Sequence, residues 1–382
     1  MSTGKQFPAL GLTYTLPGGM IGKFKIREDL TLMSYSGVLA RYGALMDLPA
    51  HTQPVTLLEG NTPLIPLPRL VEELGGGFEL YAKFEGLNPT GSFKDRGMTA
   101  AISEAAGRGV KTVICASTGN TAASAAAYAA RAGMKAIVLI PQGKVAAGKL
   151  AGAVAYGAQV LQVQGSFDDA LSLVVAVTRK HPIALVNSLN PYRLEGQKTA
   201  AFEICDALGS APDVLCLPVG NAGNITSYWM GFCQYESIKS SGLPRLLGVQ
   251  ASGSAPLVLG HPVERPETIA TAIRIGRPAR GEQALQAAEE SGGMIIAISD
   301  DEILAMQRRI AGEGVWVEPA SAAGIGGLAS EIRRGRLNPR GRRIVAVCTG
   351  HGLKDPDVIT TRFLNPRLLP ANLSALEDAI LS

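Results

Sequence analysis

The chain has 382 residues, too many for one small stapled core and enough for two compact domains. Hydrophobic residues make up 46%, charged residues 18% and aromatic residues 5%, which excludes a disordered chain and leaves burial mainly to Ala, Val, Ile and Leu. Lys and Arg number 36 against 32 Asp and Glu, a net charge of +4 without a basic run, so no nucleic acid partner is expected.

The N-terminal segment lacks a sustained apolar core, and the Ala-rich stretch from Ser117 to Ile140 is broken by Arg131 and Lys135. Neither a signal peptide nor a membrane span is expected, and the cytoplasm is the expected compartment. From about Phe78, short β-branched runs alternate with Ala-rich segments of helical period. The predicted strands are Glu79 to Phe84, Thr112 to Ala116, Ala136 to Ile140, Gln159 to Val163, Ile183 to Val186, Val214 to Leu217, Leu246 to Val249, Met294 to Ile298 and Ile344 to Cys348. Helices are predicted at Thr121 to Ala132, Phe167 to Arg179, Tyr192 to Leu208, Ser299 to Ala311 and Ala320 to Arg333. This rhythm is that of an α/β protein with mostly parallel sheets covered on both faces. Residues 1–80 and 190–382 are expected to form a large domain, with 81–189 a smaller inserted one. Five cysteines without C-x-x-C spacing read as buried free thiols, and four scattered histidines give no metal site.

Glycine and polar residues collect just after the strands, where open α/β sheets bind ligands. In Asn88-Pro-Thr-Gly-Ser-Phe-Lys94-Asp-Arg-Gly97, a turn-rich loop places Lys94 near the start of a helix. Positive charge is disfavoured there, so the neutral, nucleophilic amine is favoured. Asp95 and Arg96 fit support of the loop better than reaction. Ser117, Thr118, Gly119, Asn120 and Thr121 offer hydroxyls, an amide and backbone N–H groups to an anion, although an ordinary Ser/Thr helix cap accounts for the same residues. Gly220, Asn221, Ala222, Gly223 and Asn224 have the placement of a phosphate-binding turn, but not the G-x-G-x-x-G or Walker pattern of a nucleotide site. Asn187, Ser188 and Arg193 would suit an anionic substrate group, and equally an Asn/Ser turn with a surface arginine. Thr349 opens a Gly-flanked turn after the last strong strand.

One lysine nucleophile and two anion cradles suggest a cofactor with an aldehyde and a phosphate, pyridoxal 5′-phosphate. On these segments, and on Glu59 to Leu64, Pro191 to Lys198, Ala272 to Gly276, Glu318 to Ala322 and Thr349 to Asp355, the chain resembles the fold type II pyridoxal-phosphate enzymes, and within them the threonine synthase family. The resemblance runs from about Glu59 to Asp357. It implies a tryptophan synthase β-like fold: two open, mostly parallel sheets covered by helices, with the active site between the domains. It further implies that Lys94 carries the cofactor and moves protons. Asn120 would meet the cofactor's ring oxygen, Gly220 to Asn224 its phosphate and Thr349 its ring nitrogen. Ser117, Thr118, Gly119 and Thr121 would take the substrate α-carboxylate, and Asn187, Ser188 and Arg193 the substrate phosphate. The implied reaction converts O-phospho-L-homoserine and water to L-threonine and phosphate, in a homodimer. The alternatives are a cysteate synthase-like or threonine dehydratase-like lyase of the same fold, a binding protein that has lost catalysis, and a nicotinamide oxidoreductase. The last lacks its glycine fingerprint here.

Overall fold

The computed structural model describes residues 13–15, 21–23, 35–117, 119–142, 147–363, 366 and 368–381. A small antiparallel pair, β1 (Thr13–Thr15) and β2 (Ile21–Lys23), belongs to a unit of its own, residues 1–35. The second unit starts at Ser36. In chain order it opens with α1 (Val38–Tyr42), β3 (Leu64–Pro66), α2 (Pro68–Glu73), β4 (Glu79–Phe84) and α3 (Lys94–Gly107). Next come β5 (Thr112–Ala116), α4 (Asn120–Arg131), β6 (Lys135–Pro141), α5 (Ala147–Ala155), β7 (Gln159–Val163), α6 (Phe167–Lys180) and β8 (Ile183–Leu185). The chain continues with α7 (Tyr192–Leu208), β9 (Val214–Pro218), α8 (Gly223–Lys239), β10 (Arg245–Ala251), α9 (Pro256–Leu259), α10 (Gly281–Glu290) and β11 (Met294–Ile298). It closes with α11 (Asp300–Gly312), α12 (Pro319–Arg333), β12 (Arg343–Cys348), α13 (Asp357–Phe363) and α14 (Leu373–Leu381).

The described strands of this second unit form two sheets, ordered β11-β10-β9-β12-β4-β3 and β7-β6-β5-β8. All pairings within them are parallel except β3 with β4, where Leu64 faces Lys83. The central strands β5 and β9 are apolar on both faces, because helices cover both. Along β9, Val214 and Cys216 join a core with Ile303, Ile325 and Leu328 from α11 and α12. The alternate residues Leu215 and Leu217 join one with Phe202, Tyr228 and Phe232 from α7 and α8. In β5, Val113 and Cys115 pack with Met98 and Tyr128 from α3 and α4, while Ile114 and Ala116 pack with Ala170 and Val174 from α6. The period-2 alternation of side chains therefore feeds two cores per sheet.

Local signals set several helix starts. Ser166 and Asp169 close a capping box on α6, Ser299 and Glu302 another on α11, and proline occupies the first turn of α2 and α12. The structure departs from the sequence reading at residues 64–66, too short a run to carry a period. Residue 81 lies inside β4, which belongs to the six-stranded sheet because β12 pairs along one of its edges and β3 along the other. The four-stranded sheet is built from Thr112 to Leu185.

Candidate active site

Strands β4, β5, β8, β9 and β12 each end in one of the polar turns singled out by sequence, and the turns converge on a cavity of about 1270 Å3. Its walls include Lys94, Gly119, Arg193, Asn224, Glu318 and Thr349. Lys94 is the first residue of α3, whose start has no side-chain cap. Its Nζ lies 3.8 Å from the centre of the Phe93 ring. Burial within the cavity wall, reinforced by the Arg193 charge and partly opposed by Glu318, pushes the amine down to about 7. A substantial share of it is therefore neutral near pH 7, as a nucleophile or a base requires.

Helix α4 starts at Asn120 with Gly119 at its cap position and no side-chain cap. The ordinary cap therefore does not account for Ser117 and Thr121, which line the cavity with Gly119; an added Cβ at Gly119 would meet open space. Thr118 lies outside the described residues. At the start of the 17-residue helix α8, Ala222 occupies the left-handed region at φ 66°, a conformation disfavoured for alanine that turns the Gly220–Asn224 segment toward the cavity. Asn224 is buried, and its Nδ2 donor has no hydrogen-bond partner among the described residues. An unpartnered donor beside the positive end of a helix fits a bound phosphate.

Opposite stands Arg193, only 2% exposed, so the alternative of a surface arginine does not hold. Its Nη1 donates to the Val186 carbonyl at 3.3 Å, while its Nε is buried without a partner among the described residues. Ser188 borders the same cavity, and its carbonyl accepts a 3.4 Å hydrogen bond from Arg280 Nε. Asn187 is already engaged: its Oδ1 accepts from the Ala116 N–H at 2.9 Å and its Nδ2 donates to the Ala116 carbonyl at 2.8 Å. It fastens the end of β5 to the turn after β8 and keeps only its second amide hydrogen for a ligand.

Glu318 was not singled out as a site residue. It stands just before Pro319, at the cap of α12, fully enclosed with its pKa raised by that burial. Both its oxygens accept from Asn120 Nδ2, at 3.1 and 3.0 Å, and Oε1 accepts from the Thr349 hydroxyl at 3.4 Å. Thr349 also shares a 2.8 Å hydrogen bond with Ser321. An acidic residue followed by proline after the Val315–Val317 run is the signal that could have marked it. The electrostatics make a checkable expectation. Cofactor uptake by protein stripped of it, followed by visible absorbance, should rise with pH around a midpoint near 7. Arg193→Gln should move that midpoint up and Glu318→Gln should move it down, since one charge disfavours and the other favours the protonated amine. Shifts of the opposite sign would contradict the arrangement.

The donor set fits pyridoxal phosphate: an amine held partly neutral for an aldehyde, and an orphaned amide at a helix start for a phosphate. Residues 55–350 match the family model described as pyridoxal-phosphate dependent enzyme, and the chain belongs to that family. It is 54% identical over 348 residues to a threonine synthase of Bacillus sp. strain ULM1, spanning 91% of this chain and 98% of that relative. It is 56% identical over 334 residues to a threonine synthase of Mycobacterium leprae, spanning 87% and 92%. Among solved structures, a fungal L-serine ammonia-lyase from Rhizomucor miehei superimposes with a TM-score of 0.68 at 22% identity, over 80% of this chain and 99% of that one. Processed threonine deaminase isoform 2 from Solanum lycopersicum gives 0.66 at 22%, over 79% and 87%. These structures share the fold type II architecture.

Proposed function

We infer that the protein catalyses the threonine synthase reaction, a pyridoxal-phosphate dependent lyase converting O-phospho-L-homoserine and water to L-threonine and phosphate. The observation that carries this is 54–56% identity to threonine synthases over most of both chains. The site supports it by surrounding one amine with two separate anion-accepting turns, as a phosphorylated cofactor and a phosphorylated substrate require. The cofactor, when bound, supplies an aldehyde for the substrate amine and a sink for charge developing at Cα.

The chain's own residues would divide the remaining work. Lys94 Nζ holds the cofactor and then takes the Cα proton, which it can do only as the neutral amine. The turn from Gly220 through Asn221, Ala222 and Gly223 to Asn224 would grip the cofactor phosphate through the start of α8. Asn120, oriented by Glu318, would hold the ring oxygen, and the Thr349 hydroxyl would hold the ring nitrogen. Ser117, Thr118, Gly119 and Thr121 take the α-carboxylate. Arg193 and Ser188, with the remaining amide hydrogen of Asn187, hold the substrate phosphoryl group, and Arg193 offsets charge on the departing phosphate. The smaller unit, inserted between 1–80 and 190–382, would close over the substrate; its sheet supports a start after β4.

The described residues contain no helix long and apolar enough to cross a membrane, and the five cysteines are free. Free thiols support a reducing compartment, and we place the enzyme in the cytoplasm as a homodimer. A paired assay tests the reaction. O-phospho-L-homoserine should yield threonine and phosphate in equal amounts. O-phospho-L-serine with sulfite should yield no cysteate, and cysteate without threonine would overturn the assignment.

A further inference from the structure

Three side chains along one face of α4, at four-residue intervals, each donate to a carboxylate from a different part of the chain. Asn120 donates to Glu318, Ser124 Oγ to Asp95 Oδ1 at 2.6 Å, and the Tyr128 hydroxyl to Glu59 Oε2 at 2.8 Å. The middle contact is the informative one, because Asp95 directly follows Lys94. Its carboxylate is wholly buried and also accepts from the Thr90 N–H at 2.7 Å and the Thr90 hydroxyl at 2.6 Å. The Thr90 carbonyl in turn accepts from Lys354 Nζ at 3.0 Å. On that side the Lys94 turn is pinned further: the Phe93 N–H donates to the Thr349 carbonyl and the His351 N–H to the Gly91 carbonyl, each at 2.9 Å. The turn is thus fastened to the end of the six-stranded sheet through backbone and Lys354, and to a helix of the four-stranded sheet through Asp95 and Ser124.

We propose that Ser124 and Asp95 are positioning residues. Their hydrogen bond sets the distance between the Lys94 amine and the Ser117–Thr121 turn at the start of α4, so that substrate carboxylate and proton-transferring amine are brought into register together. This deepens the function proposed above and rests on its assignment of Lys94 and that turn. A carboxylate that accepts three hydrogen bonds while fully enclosed is held in one place, and burial of such a group is tolerated only with those bonds in place. Loss of one bond to the charged oxygen releases α4 without leaving the carboxylate bare, since the two Thr90 donors remain.

The test uses the cofactor-loaded full chain, with Ser124→Ala, Thr90→Ala and the conservative Thr90→Ser. Amide hydrogen exchange is read in peptides covering 90–98 and 119–128. Ser124→Ala and Thr90→Ala should both speed exchange in the two peptides together, with Thr90→Ser close to the unsubstituted protein. In steady-state assays Ser124→Ala should raise KM for O-phospho-L-homoserine about tenfold, with a smaller change in kcat, because the displaced turn binds the substrate carboxylate. Unchanged exchange at 119–128 in Thr90→Ala, or acceleration spread evenly over the whole chain, would overturn the proposal, as would an unaltered KM in Ser124→Ala. The exchange measurement needs no substrate, so absence of turnover by the unsubstituted protein would count against the reaction alone.

Discussion

Replacing Lys94 with alanine should lower kcat by roughly a thousandfold or more, while the protein remains folded and still takes up the cofactor non-covalently. The size follows from two losses at one atom. Alanine removes both the covalent tether and the base, and among the described residues no second lysine is equivalently placed. Lys354 lines the same cavity, and its pKa is likewise lowered by burial, but its Nζ is committed to the Thr90 carbonyl. Retained cofactor binding is expected because the Gly220–Asn224 turn is far along the chain and independent of residue 94. Phosphate release from O-phospho-L-homoserine measures the first effect, and visible absorbance after gel filtration measures the second. A variant within tenfold of the parent rate would place the proton transfer on another group.

Replacing Arg96 with alanine should cost about 3–5 kcal/mol of stability, the range for breaking a buried ion pair from one side. Arg96 is 1% exposed, and its guanidinium forks onto two carboxylates. Nε and Nη2 donate to Glu85 at 2.7 and 2.9 Å, and Nη1 and Nη2 donate to Glu203 at 2.9 and 2.6 Å. Lys83, also buried, donates to Glu203 Oε2 at 2.8 Å. Two cations balance two anions, and those cations hold the Glu203 carboxyl well below the usual carboxylate range even though burial opposes ionisation. Alanine would leave Glu85 and Glu203 enclosed with one compensating charge. Lysine cannot reproduce the fork, so Arg96→Lys should also lose stability. Urea unfolding read by two probes checks this. A loss below about 1 kcal/mol, the scale of an exposed pair, would show that the cluster does not hold α3 to α7.

The strands and the turns that follow them were legible in the sequence because their determinants are local. Val214–Pro218 is apolar throughout, as a central parallel strand must be, and Gly220 to Asn224 follows it within the span of one turn. Lys94 stood out because a lysine at a helix start contradicts the helix dipole, an anomaly visible within ten residues. Residues 64–66 were not legible, since three residues carry no period and only their pairing with β4 makes them a strand. The burial of Arg96, Glu203 and Arg193 was not legible for a related reason: it follows only from the packing of α3 against α7. Glu318 lies 198 residues from the amide it orients.

The sequence by itself determined the nine strands β4 to β12, the polar turns at the strand ends and the lysine, because hydrogen-bond periodicity, glycine conformation and helix polarity act over a few residues. Only the tertiary structure decided which carboxylate meets which donor. The crossover connections bring Glu59, Asp95 and Glu318 to one face of α4 from three distant parts of the chain, and burial there makes each contact strong enough to matter.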